Sequence, residues 1–462
     1  MTVRTLYGAN VLCRVLAIGA TIAGLLITDR AWGQNFGFGL RGSAVGGVAI
    51  DADGTVRTAS HEERTGWLEQ LRQHVAAPQG ELSQPSAMRW VSLTKLQEEI
   101  QQAIAENRRL SEEVLFLAGL QRIEYVFVYP DTADIVLAGP AEPWTVREDG
   151  AVVGQQSGRP VVRLEDLITA LRTVPAARQE PISVSIEPTP EGQQRLNRLL
   201  GQVRVGPGFQ PARLEAMMKE AFGPQIVKLS VVDPSSRMAV ALVAADYEMK
   251  RLAMNLEESP VQGLPSYLEL IRDVGAPTNT QPRWWIECDY EAIEHSPDHL
   301  AWKLNGRGIK ALTEDQFIDA AGNRRGTGRS NRYAERWSEL FTEHFDQLCQ
   351  FNAAFGDLRN IMDLNVVATV IRGHQLDAKA GCDLSLLYGE KNSTLETPRW
   401  NAPKSVLPQC SFIRGKAGWI VSASGGVALN PWRIVVEKAQ PSSDLHLVNT
   451  ANELPRRNWW WD

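Results

Sequence analysis

Thirteen residues, IMDLNVVATVIRG at 361–373, constrain this chain more than any other stretch. Wound at helical pitch they are apolar on nearly every side, so a helix here needs protein around most of its circumference. The segment before it, RYAERWSELFTEHFDQLCQFNAAF at 332–355, carries one stripe instead. Trp337, Leu340, Phe341, Phe345 and Leu348 share a face, with Glu335, Ser338, Glu339, Thr342 and Asp346 opposite. Together they predict a helical hairpin inside a C-terminal domain. WWIECDYEAIEH and LAWKLNGRGIKAL ahead of it, and GWIVSASGGVALNP and WRIVVEKA behind, read as strands that would cover it. LTEDQFIDA predicts the start of a helix.

The N-terminal half alternates the two periods. Leu93, Leu96, Ile100, Ala103, Asn107, Leu110, Val114 and Leu117 recur at three and four, which predicts a helix over 92–118 ending at Gly119. IEYVFVYP and DIVLAGPA then read as strands around Pro130-Asp131. RLEDLITALRTV, ISVSIEP and EGQQRLNRLL continue as helix, strand, helix. About a hundred residues on, PARLEAMMKEAFG, IVKLSVVDP, RMAVALVAAD and YEMKRLAMNL read as helix, strand, strand, helix. Both blocks follow helix–strand–turn–strand–helix, the pattern that an internal duplication within 90–257 would leave. The fold class expected is α+β, with helix-covered mixed or antiparallel sheets. VGAPTNTQPR at 274–283 carries turn residues and no apolar period, so it is the expected linker between an N-terminal region, 34–273, and a C-terminal domain, 284–462.

The first residues predict the compartment. Arg4 and Arg14 stand ahead of an apolar run from about Val15 to Ile27, and Ala31-Trp32-Gly33 offers small residues at both positions a signal peptidase reads. Residues 1–33 are therefore expected to be a cleaved signal, with export to the periplasm, the cell envelope or the exterior. The apolar run is shorter than the roughly 20 residues that cross a bilayer, and no later segment is long enough to span one. Three arginines and one aspartate leave with residues 1–33, so the formal charge of −6 becomes −8. That balance gives no field to draw in phosphate backbones, and nucleic acid is not an expected partner. Cys288, Cys349, Cys382 and Cys410 remain, with no metal or haem spacing. Their even number in an exported chain permits disulfides, and buried thiols are the equal alternative.

Motifs for chemistry do not hold up. Gly37, Gly39 and Gly42 have GxGxxG spacing, but the strand and helix a dinucleotide needs do not flank them. The nearby VAIDADGTVRT reads as a hairpin turning at Asp53-Gly54. His295 and His299 lie four apart in EHSPDHLAW, yet Pro297 and the alternating flanks predict strand–turn–strand, so no metal site and no cofactor are expected. His344 borders the apolar stripe, and His374 follows a helix end, where a cation is favoured. The basic loop AGNRRGTGRSN lacks the GK[ST] element of a phosphate cradle. SASGG around Ser424 lacks the leading glycine of a nucleophile elbow. Asp363 and Asn365 are polar inside the apolar helix and need partners; Arg359 or the neighbouring backbone is the expected link. No catalytic residue can be named. The chain ends RRNWWWD, so Trp459, Trp460 and Trp461 are candidate partner-binding residues, unless the tail folds back on its own domain.

Two phrases echo each other: GGVAIDADGTV at 46–56 and GGVALNPWRIVV at 425–436. They predict strands of one sheet lying within about 20 Å, closing the two ends of the chain together. A wider resemblance rests on RWWIECDYEAIEHSPDHLAWKLNGRGIKALTEDQF and AERWSELFTEHFDQLCQFNAAFGDLRNIMDLNVVATVI, with the GGVAID segment fitting too. These resemble the secreted planctomycete proteins of family DUF1598, a domain of unknown function. The resemblance implies export and a shared fold, and brings no activity, cofactor or catalytic residue with it. The expectation is an exported, non-catalytic component of the envelope or periplasm that binds a protein or polymer there. An exported hydrolase with a site assembled from distant residues is the alternative.

Overall fold

The computed structural model describes residues 45–203, 211–273, 280–319, 323–390, 395–408, 411, 414–415, 418–419, 424–445 and 460–461. The expected signal at 1–33, residues 274–279 of the expected linker, Cys410 and Trp459 lie outside them. The class is α+β, as expected. One sheet has nine strands, in the order Val48–Ile50, Thr55–Thr58, Ser405–Val406, Gln225–Ser230, Ile182–Glu187, Ser424–Leu429, Gln281–Asp289, Gly308–Ile318, Arg324–Gly326. A second large sheet has six strands among the described residues, in the order Ala439–Pro441, Ala292–His295, Ala301–Asn305, Tyr125–Tyr129, Asp134–Ala141, Ser86–Ser92, and Trp144–Val146 with Val152–Gly154 and Arg414–Gly415 with Gly418–Trp419 form two small two-stranded sheets. Both large sheets take strands from both sides of 274–283.

Packed on the helices Leu164–Ala177 and Arg237–Ala253 and on the strand Gly308–Ile318 lies the helix Ala353–Gly373, buried from Ala353 through Ile371 as its composition demanded. Asn352 caps it, its side chain accepting from the Ala354 N–H. The expected hairpin is present with its arms cut differently. The first arm breaks at His344 into Arg332–Glu343 and Phe345–Phe351, and the second starts at Ala353. Phe355 meets Phe341 and Phe345 edge-on at 5.2 and 6.1 Å between ring centres. Three helices are cross-linked by buried charge. Arg237, on Arg237–Ala253, donates to Asp166 of Leu164–Ala177 and to Asp357 of the central helix, the latter at 2.6 Å. Glu165 stands beside them and accepts from the Trp400 indole N–H at 3.1 Å.

Four element assignments differ from expectation. The helix expected over 92–118 stops at Ala105, because Asn107 turns left-handed (φ 55°) and the Arg108 N–H closes on the Ala103 carbonyl, a helix-ending turn. RMAVALVAAD is the first half of the helix Arg237–Ala253, capped by Ser236, which leaves the second block one strand short of the first. LTEDQFI continues the strand Gly308–Ile318. WRIVVEK is helical, with Pro431 in its first turn and the Asn430 side chain accepting from the Arg433 N–H.

Both GGV phrases lie in the nine-stranded sheet, as expected, with Ser405–Val406, Gln225–Ser230 and Ile182–Glu187 between the hairpin of the first and the strand of the second. Their glycines answer different crowding. A Cβ on Gly425 would stand 1.8 Å from the Trp284 carbonyl oxygen, and one on Gly426 2.2 Å from that of Val184. Gly46 (φ 60°) instead lets the chain pass between Ala244 and Ala354, 2.9 and 2.8 Å from where its Cβ would be.

Candidate functional site

Residues 292–305 form the strand–turn–strand expected of EHSPDHLAW, with Ala292–His295 antiparallel to Ala301–Asn305. Ser296 ties the turn: its Oγ accepts from the Leu300 and Ala301 N–H groups and donates to Asp298 at 2.5 Å. His299 takes a left-handed conformation (φ 60°), which brings its ring onto His295, 4.2 Å between centres with planes 20° apart. His374 closes the group, 5.8 Å from His299 and 4.4 Å from Trp302. Rings stacked in parallel planes keep their edge nitrogens from converging on one ion, as tetrahedral coordination requires. Among the described residues no group of three His, Cys, Asp or Glu side chains is placed to hold a metal. Burial, then the charges of His299, Lys379 and His295, push the His374 imidazole down to about 4. Its ring is thus neutral at pH 7, and the helix-end preference for a cation is overridden.

The polar residues of the central helix are satisfied, but not by Arg359. Arg122 Nε and Nη2 donate to the two Asp363 oxygens at 3.1 Å each, and Tyr290 donates to Oδ1 at 2.6 Å. Arg359 binds Asp346 at 3.2 Å, and Asn365 Nδ2 donates to the Ile361 carbonyl at 2.8 Å. Ser424 Oγ is buried, donating to Gln316 at 2.8 Å. Of the basic loop, Arg324–Gly326 pairs with the end of the strand Gly308–Ile318, Arg325 binds Asp319 at 3.2 Å and Arg324 reaches Gln193 at 3.1 Å. Cys288, Cys349 and Cys382 are free thiols. Of the terminal tryptophans, Trp460 is 7% exposed within the core and Trp461 is half-buried against the strand Ser86–Ser92.

Titratable groups and open space meet elsewhere. The helix Arg237–Ala253 ends on left-handed Asn255 (φ 52°), with the Leu256 N–H closing on the Arg251 carbonyl. The loop that follows returns at Ser266, which shares a capping box with Glu269. Between them is a cavity of about 640 Å³ whose polar lining includes Asn255, Glu257, Glu258, Ser259, Gln262 and Glu269. Arg251 Nε donates to Glu257 at 3.0 Å and lies 4.0 Å from Glu248, a buried residue one turn back. Burial, and then the neighbouring Glu257 charge, push the Glu248 carboxyl up to about 8. At neutral pH Glu248 therefore holds a proton against Glu257, which faces the cavity. His344 borders the loop, its Nε2 3.3 Å from where a Gly263 Cβ would stand. A second cavity, about 490 Å³, runs along Lys310, Thr313, Glu335 and Ser338.

Sequence reasoning singled out neither Glu248 nor Glu257. The signal open to it was the doublet Glu257-Glu258 just past a helix end. That Glu248 is buried beside them depends on the packing of Asn352 and Arg251, which no local pattern carries. Residues 184–267 match the model of a family described as Protein of unknown function (DUF1598). The match runs from the strand Ile182–Glu187 through the helix Arg237–Ala253 and most of the cavity loop. It lies upstream of the 283–371 stretches on which the resemblance rested. No curated protein and no solved structure matches the chain.

Proposed function

From a DUF1598 segment that brings no activity with it, we propose that this is an exported, non-catalytic component of the cell envelope or periplasm. Its role is to hold a partner, an envelope protein or polymer, through a cationic group seated in the cavity at 252–269. The observation that carries the reading is that cavity: Glu257, Glu258 and Glu269 line it, and Arg251 is spent on Glu257. An ammonium or guanidinium entering there meets carboxylates in a partly desolvated setting, where charge-assisted hydrogen bonds are strongest. Titrating an oligolysine peptide into the wild type and into Glu257→Gln/Glu258→Gln is the test. Saturable, salt-sensitive binding that weakens at least tenfold in the double variant supports it; equal binding sinks it. Export is tested by sequencing the N-terminus of the mature protein, expected at Gln34; an intact residue 1 would refute it.

The hydrolase reading keeps one observation in its favour. A carboxyl and a carboxylate sharing a proton beside open space can serve as acid and base. If it holds, Glu248→Gln removes turnover of a chromogenic ester or glycoside while the oligolysine affinity stays the same.

A further inference from the structure

Among the described residues the strand Ser86–Ser92 of the six-stranded sheet has one sheet neighbour, Asp134–Ala141, and its other side is an edge. A free edge offers main-chain donors and acceptors to any extended segment. Here the end of the chain takes that place. The Ser92 N–H donates to the Trp460 carbonyl at 2.8 Å, and Trp461 bridges Val91 in antiparallel sense. The indole of Trp460 is almost wholly buried in the main core, and the Arg89 guanidinium lies 5.3 Å from the centre of the Trp461 ring. Main-chain pairing along an edge plus a pocket for a large side chain is how strand-addition sites recognise peptides.

We infer that the Ser86–Ser92 edge is a peptide-recognition site for the Trp-Trp end of this same chain, and that a second copy supplies the peptide. The length of the intervening chain separates the ligand from the body. Fourteen residues, 446–459, lie between Leu445 and Trp460, enough to span up to about 50 Å if extended. The tail thus reaches the edge of a neighbouring molecule as readily as its own. Reciprocal exchange places each copy's Trp460 in the other's pocket, a closed twofold pair.

The test uses the full chain and a labelled peptide of residues 456–462, RRNWWWD. Trp460→Ala disables the chain's own tail and leaves the edge open. It is expected to bind the peptide saturably, at least tenfold more tightly than the wild type, whose site is filled. A peptide carrying Trp460→Ala is expected to lose at least tenfold. Sedimentation is expected to show a wild-type dimer growing with concentration and a monomeric Trp460→Ala chain. If Trp460→Ala does not fold, Trp461→Ala, which removes a half-buried ring, takes its place. A variant that ignores the peptide, or a wild type monomeric at high micromolar concentration, overturns the inference.

Discussion

At the scale of single residues, the sequence named positions whose reasons lie across the fold. The spacing of His295 and His299 was legible, and so was the turn between them. What could not be read was His374, brought from 75 residues further along the chain to complete the stack. Its consequence is a pH dependence with a definite sign. The folded value, about 4, lies below the roughly 6.5 of an exposed imidazole, so the unfolded chain binds the proton first. This contribution to stability is complete above about pH 6.5 and is lost as pH falls toward 4. Like charge on His299, Lys379 and His295 adds to the effect of burial at His374, and Asp298 opposes it at His299. Thermal melts at pH 7 and 4.5 are expected to differ less for His374→Phe than for the wild type; equal differences would remove His374 from the account. The Gly-Gly pairs teach the same lesson. Gly425→Ala forces a methyl onto the Trp284 carbonyl, and a loss of about 3 kcal/mol or more is expected in urea unfolding.

At the scale of elements, the one-sided segment at 337–348, the alternating one at 284–289 and the apolar helix at 361–373 were read correctly, and two other apolar runs were not. Trp337 to Leu348 announced a one-sided helix, and QPRWWIECD alternates buried and half-buried along its length. RMAVALVAAD and WRIVVEK are apolar without period, and such runs suit a buried strand or a buried helix equally. Their caps decided the matter, Ser236 and Asn430, each accepting from an N–H three residues on. The corrected helix runs unbroken from Arg237 to Ala253 and carries Asp246, Glu248, Lys250 and Arg251 together. Lys250 shows how closely that helix is held. Wholly buried, it donates to Asp246 at 2.9 Å and to the Ile186 carbonyl at 3.0 Å. Arg237 holds the opposite end between Asp166 and Asp357. Arg237→Met strands both carboxylates in the core, and a loss of about 3–5 kcal/mol is expected. Adding Asp357→Leu should return part of it in the same unfolding measurement, since the pair then leaves less charge unpaired.

At the scale of the whole molecule, the turn residues at 274–283 led to the expectation of a linker between an N-terminal region and a C-terminal domain. Which strands become neighbours is set by long-range packing, which no local signal reports. Strands from 48 to 230 and from 281 to 429 alternate within one sheet, so neither half can complete its hydrogen bonding alone. A fragment of residues 34–273 is accordingly expected to lack a cooperative thermal transition that the full chain shows. A fragment that melts cooperatively would restore the two-body view. The strand Ser424–Leu429 carries this furthest. It pairs with Ile182–Glu187 on one side and Gln281–Asp289 on the other, yet ribosomes make it among the last of the strands. Until then its two neighbours have an empty slot between them where their main chains stay unpaired. The sheet therefore cannot close during synthesis until almost all of the chain has emerged, so its folding is expected to follow completion of the chain rather than to proceed alongside it.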